Sequence, residues 1–216
     1  MKRLQNGIKL RGLNVKIIHF ILNTHITKYG TEPTIAGLIV FNHRSYFDPL
    51  VILKDTLAFP VAKKEVDSWP LIGHVCRATG VIFVERESKK SRTQTLKEVR
   101  DILNQGFSIL IAPEGTTHIE PLSIEFKPGA FLLAAELDVP VIPVAIDYKN
   151  INDAWIGNDT FVPHFFKCFG KWKTEINVSF LDPVKSASAE ELITISKNKI
   201  DTELIRFRKN WDRITF

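Results

Sequence analysis

Ile35-Ala36-Gly37-Leu38-Ile39-Val40-Phe41-Asn42-His43-Arg44-Ser45-Tyr46-Phe47-Asp48-Pro49-Leu50-Val51-Ile52-Leu53 is an apolar run, a polar turn and a second apolar run. The first run reads as a buried strand and the last as the buried side of a short helix from Pro49 to about Lys54, so the turn presents one His and one Asp at the edge of a core. Asp48, just before Pro49, has two readings. Its carboxylate suits a helix start, where orphan backbone N–H groups need an acceptor. It also suits orienting His43, keeping one ring nitrogen protonated and leaving the other free to take a proton from a substrate hydroxyl.

Working outward, Phe59-Pro60-Val61-Ala62, Gly80 to Val84, Phe107 to Ala112 and Val139 to Ile146 read as further strands. Arg92 to Gln105 has helical spacing closed by Gly106, and Pro128 to Leu137 reads as a helix buried on most of its face. This alternation predicts an α/β fold, a largely parallel or mixed sheet flanked by helices in a single domain. Trp69-Pro70-Leu71 either caps the core or offers a lipid or acyl-chain contact. Beyond Lys149 the rhythm weakens: Asn150 to Gly170 is aromatic and irregular, lining a pocket or capping the sheet. Lys173 to Phe180 alternates as an edge or half-exposed strand does, and Ser188 opens a helix running to about Lys209.

The 216 residues suffice for one core, and 44% hydrophobic with 25% charged content is globular rather than disordered. Cys76 and Cys168 match no metal spacing and read as reduced thiols in a cytosolic setting. No apolar run is long enough to span a bilayer, and no cleavable secretion signal stands at the start. The net charge of +5 is unevenly placed: Lys2, Arg3, Lys9, Arg11, Lys16 and Lys28 precede the first acidic residue, Glu32. Interleaved with them are Leu13, Val15, Ile17, Ile18, Phe20, Ile21 and Leu22. That mixture argues against nucleic acid and suits either an anionic lipid surface or a helix packed on the domain with solvated lysines. Residues 1–31 are therefore expected to be a basic amphipathic segment at a membrane surface, and residues 32–216 the folded domain.

Asn42-His43 with Asp48 resembles the H-x4-D block of the glycerolipid acyltransferases, which acylate glycerol-3-phosphate and lysophospholipids. Three more blocks follow in that family's order. Gly80-Val81-Ile82-Phe83-Val84-Glu85-Arg86 is similar to the second, Pro113-Glu114-Gly115-Thr116 to the core of the third, and Val141-Ile142-Pro143-Val144-Ala145-Ile146 to the fourth. The resemblance covers the middle of the chain. It implies transfer of an acyl group from acyl-CoA or acyl-carrier protein to a lysolipid such as 1-acyl-glycerol-3-phosphate. His43 would be the general base, Asp48 its orienter, and no cofactor or metal would be needed. Because its substrates are lipids, it also implies a peripheral enzyme at the cytoplasmic face of a membrane.

Acyl transfer to an alcohol needs a base, a partner that orients it, and donors for the developing oxyanion. No G-x-S-x-G elbow is present and both cysteines lie outside the matched blocks, so direct attack by the acceptor hydroxyl is favoured over an acyl-enzyme, with Ser45 structural. Substrate contacts are expected from Asn42, Arg86, Glu114, Gly115 and Thr116, with Arg86 as the first phosphate ligand and Glu114, of the wrong sign for phosphate, holding the turn or binding the glycerol hydroxyls. Taken alone, Arg86 also fits a solvated surface charge and Glu114-Gly115-Thr116 a simple turn. The family usually carries Arg after Glu-Gly-Thr; here Thr117 and His118 follow. The departure leaves room for a non-phosphatidic lysolipid or an amino-acid lipid as acceptor, and Lys127 is placed to supply the missing charge. The competing classes are a thioester hydrolase and a non-catalytic lipid-surface module.

Overall fold

The computed structural model describes residues 2–69, 73, 76–77, 80–85, 87–157 and 159–211, with side chains from residue 11 onward. Seven strands form one mixed sheet: β1 (Thr24–Tyr29), β2 (Leu38–Phe41), β3 (Ala58–Lys63), β4 (Ile82–Val84), β5 (Ser108–Ile111), β6 (Val141–Tyr148) and β7 (Thr174–Phe180). Their order across the sheet is β1-β7-β6-β2-β5-β3-β4. All neighbours are parallel except β6 and β7, so β1 and β7 run against the other five.

At the centre, all four residues of β2 are buried. Strands covered on both faces must be apolar throughout, and the period of two sends alternate residues to opposite layers. Leu38 and Val40 join one cluster, with Val99, Phe131, Leu204 and Phe207. Ile39 and Phe41 join the other, with Phe47, Val51, Ile142 and Phe169. The first layer is covered by α3 (Lys89–Asn104), α4 (Gly129–Glu136) and α6 (Ala189–Asn210); the second by α1 (Lys2–Ile21), α2 (Asp48–Leu53) and α5 (Phe161–Phe169). Ser88 and Ser188 cap α3 and α6 by accepting from Ser91 N and Glu191 N.

Four sequence expectations are corrected. The boundary at residue 31 does not separate a surface segment from the domain, because Thr24–Tyr29 is an edge strand registered against all but the last residue of β7. β7 is accordingly interior, with six of seven residues buried; its polar alternation reflects Thr174, Asn177 and Ser179, which are buried rather than solvated. The supposedly irregular stretch holds α5, whose Phe161, Phe165 and Phe169 recur at helical spacing. Asp48 does not cap α2: Phe47 occupies that position, and Asp48 is the first helical residue.

Candidate active site

β2 ends at Phe41, but β6 beside it continues to Tyr148. The ladder is prolonged by one side chain. Asn42 donates from Nδ2 to the Ile146 carbonyl (2.8 Å) and accepts at Oδ1 from the Ile146 N–H (2.9 Å), so its amide stands in for a peptide while the backbone turns away. Asn42 is fully buried, and both ends of its amide are taken up by the Ile146 backbone.

The freed backbone wraps around the Asp48 carboxylate, which is wholly buried. Oδ2 accepts from the N–H of Arg44 (2.6 Å), the N–H of Ser45 (2.8 Å) and His43 Nδ1 (2.9 Å); Oδ1 accepts from the Tyr148 hydroxyl (2.7 Å). Four donors around one carboxylate compensate the desolvation that would otherwise expel it. Asp48 thus accepts from backbone N–H groups of the preceding turn, rather than from the first turn of α2, together with His43. Because Nδ1 is the donor to Asp48, the proton-free Nε2 is the nitrogen available for base chemistry. The His43 side chain is 16% exposed, at the rim. Ser45 is buried and its Oγ accepts from Phe47 N (3.3 Å), so it is not presented as a nucleophile. Cys168 is buried too, and burial pushes its thiol up to about 12, far from the range of a reactive thiolate.

Glu114 meets this turn from the end of β5. Its Oε2 accepts from the His43 N–H (2.5 Å) and its Oε1 from Ile124 N (3.0 Å). Gly115 follows at φ +73°, a left-handed conformation that closes the bend, with its N–H on the Ala112 carbonyl (3.2 Å). Glu114 is buried, so its carboxylate holds two backbone segments in place. Thr116 is exposed, and Lys127 is exposed while its N–H is tied to the Pro113 carbonyl (2.9 Å). His43 and Glu114 therefore converge at one end of the sheet, where the parallel strands finish. Arg86 lies outside the described residues.

Over the turn sits an aromatic group absent from the sequence reasoning as a unit. Tyr46 packs edge-on against Trp155 (5.3 Å), Phe161 (5.1 Å) and Trp69 (6.1 Å), and Trp69 lies against Phe161 (4.6 Å). Trp155 N donates to the Arg44 carbonyl (2.9 Å), anchoring the 150–170 segment to the His43–Asp48 turn. Arg44, Tyr148 and His118 were also not singled out as site residues. Tyr148 closes the apolar run of β6, but nothing in a spacing of a hundred residues signals its contact with Asp48.

The description of the acyltransferase family matches residues 25–147. Among curated proteins, the lysophospholipid acyltransferase LPCAT4 of Mus musculus is 35% identical over 167 residues, covering 71% of this chain and 30% of that protein. The lyso-ornithine lipid O-acyltransferase of Pseudomonas aeruginosa is 32% identical over 163 residues, 73% of this chain and 62% of that one. The chain thus spans less than two thirds of the length of these relatives. The crystal structure of the 1-acyl-sn-glycerophosphate acyltransferase PlsC from Thermotoga maritima superposes with a TM-score of 0.72 over 96% of this chain and 82% of its own, at 21% identity, which establishes a common fold. With its sheet, its His-Asp turn and more than half of its length matched, the chain belongs to the acyltransferase family.

Proposed function

We propose that this protein moves an acyl group from an acyl thioester, carried on coenzyme A or acyl-carrier protein, to the hydroxyl of a lysolipid. The observation that carries this reading is the His43–Asp48 pair: a rim imidazole whose Nδ1–H is held by a buried carboxylate, leaving Nε2 as base, with no nucleophile presented beside it among the described residues. In that arrangement Nε2 takes the proton of the acceptor hydroxyl as its oxygen attacks the thioester carbonyl. The tetrahedral intermediate then expels the thiolate, which recovers the proton from the imidazolium. Asp48 holds the tautomer throughout and stabilises the charged ring.

A phosphate-bearing lysophospholipid is the first acceptor. A second reading, an amino-acid lysolipid, is favoured by Thr117 standing where the family's arginine is expected and by the similarity to the lyso-ornithine enzyme over 62% of its length. Thiol release from an acyl thioester, measured with lysophosphatidate, lysophosphatidylcholine and lyso-ornithine lipid in turn, separates the two. His43→Ala should reduce turnover by ~10²–10⁴-fold or more with the fold intact, and Asp48→Asn nearly as much. Wild-type rates in either variant would defeat the assignment. Thiol release without an acceptor, at the same rate, would make the protein a thioester hydrolase instead.

A further inference from the structure

Beneath the catalytic turn, Arg44 and His118 form a contact that the acyl-transfer steps do not use. Arg44 is 2% exposed. Its Nη1 lies 3.0 Å from His118 Nδ1 and 3.1 Å from the His118 carbonyl, and the N–H of Glu120 points at the same Nδ1 (3.2 Å). A guanidinium and a backbone N–H can only donate, so Nδ1 carries no proton and the ring's hydrogen is on Nε2. Nε2 lies 2.9 Å from Glu114 Oε1, a close contact without hydrogen-bond geometry. The other oxygen of that carboxylate accepts from the His43 N–H, while the His118 N–H donates to the His43 carbonyl (3.2 Å). His118 therefore reaches the residue bearing the base by two routes, one through its own backbone and one through Glu114.

We infer that His118 is a positioning residue: in its uncharged form it fixes Glu114 against the backbone of His43 and so sets where Nε2 of the base meets the acceptor hydroxyl. This rests on the acyl-transfer reading above. Protonation at Nδ1 would aim an N–H at the Arg44 guanidinium and abolish both hydrogen bonds that Nδ1 accepts. The groups facing the ring are Arg44 from the β2–α2 turn, Glu114 from the end of β5 and the backbone of Glu120. Behind Arg44, Asp147 of β6 lies 3.6 Å from Arg44 Nε and 3.5 Å from Nε of Arg208 in α6. Arg44 opposes an imidazolium and Glu114 favours one, but only the uncharged ring satisfies the donors that converge on Nδ1.

The test compares wild type with His118→Leu and His118→Asn. Leucine removes acceptor and donor, and displacement of the base by about an ångström lowers kcat by about 10²-fold, with KM for the thioester little changed. Asparagine places an amide oxygen where Nδ1 was. It should return kcat to near wild type. In ¹⁵N-histidine-labelled wild type, His118 should show the Nε2–H tautomer, and the His43 amide resonance should move in the leucine variant and return in the asparagine variant. A leucine variant with unchanged kcat overturns the inference, as does an asparagine variant no better than leucine, an Nδ1–H tautomer, or a His43 amide indifferent to these substitutions. The resonance measurements need no turnover. They decide the positioning role even if wild type acylates nothing, a result that would defeat only the functional reading.

Discussion

Tyr148 shows how much of the site depends on one hydroxyl. It is almost completely buried, and its donation to Asp48 Oδ1 completes the set of four donors around that buried carboxylate. Burial first, then the adjacent Asp48 charge and its hydrogen bond, push the phenol well above 10, the ordinary tyrosine value. A group whose folded value is raised contributes stability that is complete below the unfolded value and lost as pH climbs through the folded one. Tyr148 should therefore stay protonated past pH 10 while the fold holds, and its ionisation should coincide with alkaline unfolding. Tyr148→Phe should remove that alkaline dependence. It should also cost about 1–3 kcal/mol at neutral pH, because Oδ1 is left without its donor. Urea unfolding at pH 7 and pH 10.5, read beside tyrosinate absorbance, checks both parts; a variant as stable as wild type would show that Oδ1 finds another partner. Such a residue was illegible from sequence, where it ends a strand pattern like any aromatic. His43 and Asp48 were legible because local spacing and the ordered blocks both pointed to them. Asn42 and Glu114 were also legible, Asn42 as a substrate contact and Glu114 as a residue holding the turn or binding the glycerol hydroxyls. Their commitment to backbone N–H and C=O groups depends on β2 stopping short of β6 and on the bend after β5, which no local pattern encodes.

α1 mixes cations and aliphatics. Its described inner face carries Arg11, Val15 and His19 with Ile18 packed beside them, while Leu13, Ile17, Phe20 and Ile21 point outward. The polar inner residues find specific partners: Arg11 donates to the Ala58 carbonyl, and His19 Nε2 lies 3.0 Å from the Leu50 carbonyl with Nδ1 2.6 Å from Thr24 Oγ1. Burial lowers Arg11 to about 10 and, as the largest influence, lowers His19 below 6.5, against a smaller upward pull from the Leu50 carbonyl. The uncharged imidazole is thus the docked form. Its contribution is present above 6.5 and lost as pH falls through the lowered folded value. Hydrogen exchange across α1 should accelerate on acidification from pH 7 towards pH 5, while β2 and β6 remain protected. Equal protection of α1 at both pH values would show that His19 is not what releases it. The central strands and α6 were readable because both faces of the sheet are covered and the apolar periods are clean. β1 was not, since His25, Thr27 and Lys28 are exposed on an edge, the last two in succession, and the strand is recognised only by its register on β7.

At the scale of the whole molecule, the outward side of α1 carries exposed apolar residues, and so does the loop tied to its end. Phe20 is 87% exposed, and Trp172, in the loop joining α5 to β7, is 88% exposed. Asn23, just past the end of α1, donates to the Trp172 carbonyl and holds the two close together. Among the described residues no helix is long and apolar enough to cross a membrane; the proposed lipid chemistry leads us to expect a contact between this side and an anionic leaflet. The six cations ahead of Glu32 are not all free for that contact. Arg11 is buried on Ala58, and Lys28 pairs with Glu32. The remaining four, at about 1 kcal/mol each near an anionic leaflet, amount to no more than about 4 kcal/mol, which suits reversible attachment. Salt screens that attraction within a Debye length of about 10 Å at 0.1 M, whereas the insertion of Phe20, Ile21 and Trp172 is insensitive to it. Binding to anionic vesicles should therefore fall strongly between low ionic strength and ~0.5 M salt, where the Debye length is only a few ångströms, and leave a residue set by the apolar side chains. Deleting residues 1–31 would confound the measurement by removing β1, so the variant to use is Ile17→Gln with Phe20→Ser and Ile21→Gln. These substitutions touch only exposed positions and should spare the fold. They should abolish the salt-resistant fraction and lower activity on vesicle-borne lysolipid more than on detergent-dispersed lysolipid. Full binding by that variant in high salt would place the contact elsewhere, with Trp172 and Phe166 the next exposed positions to replace.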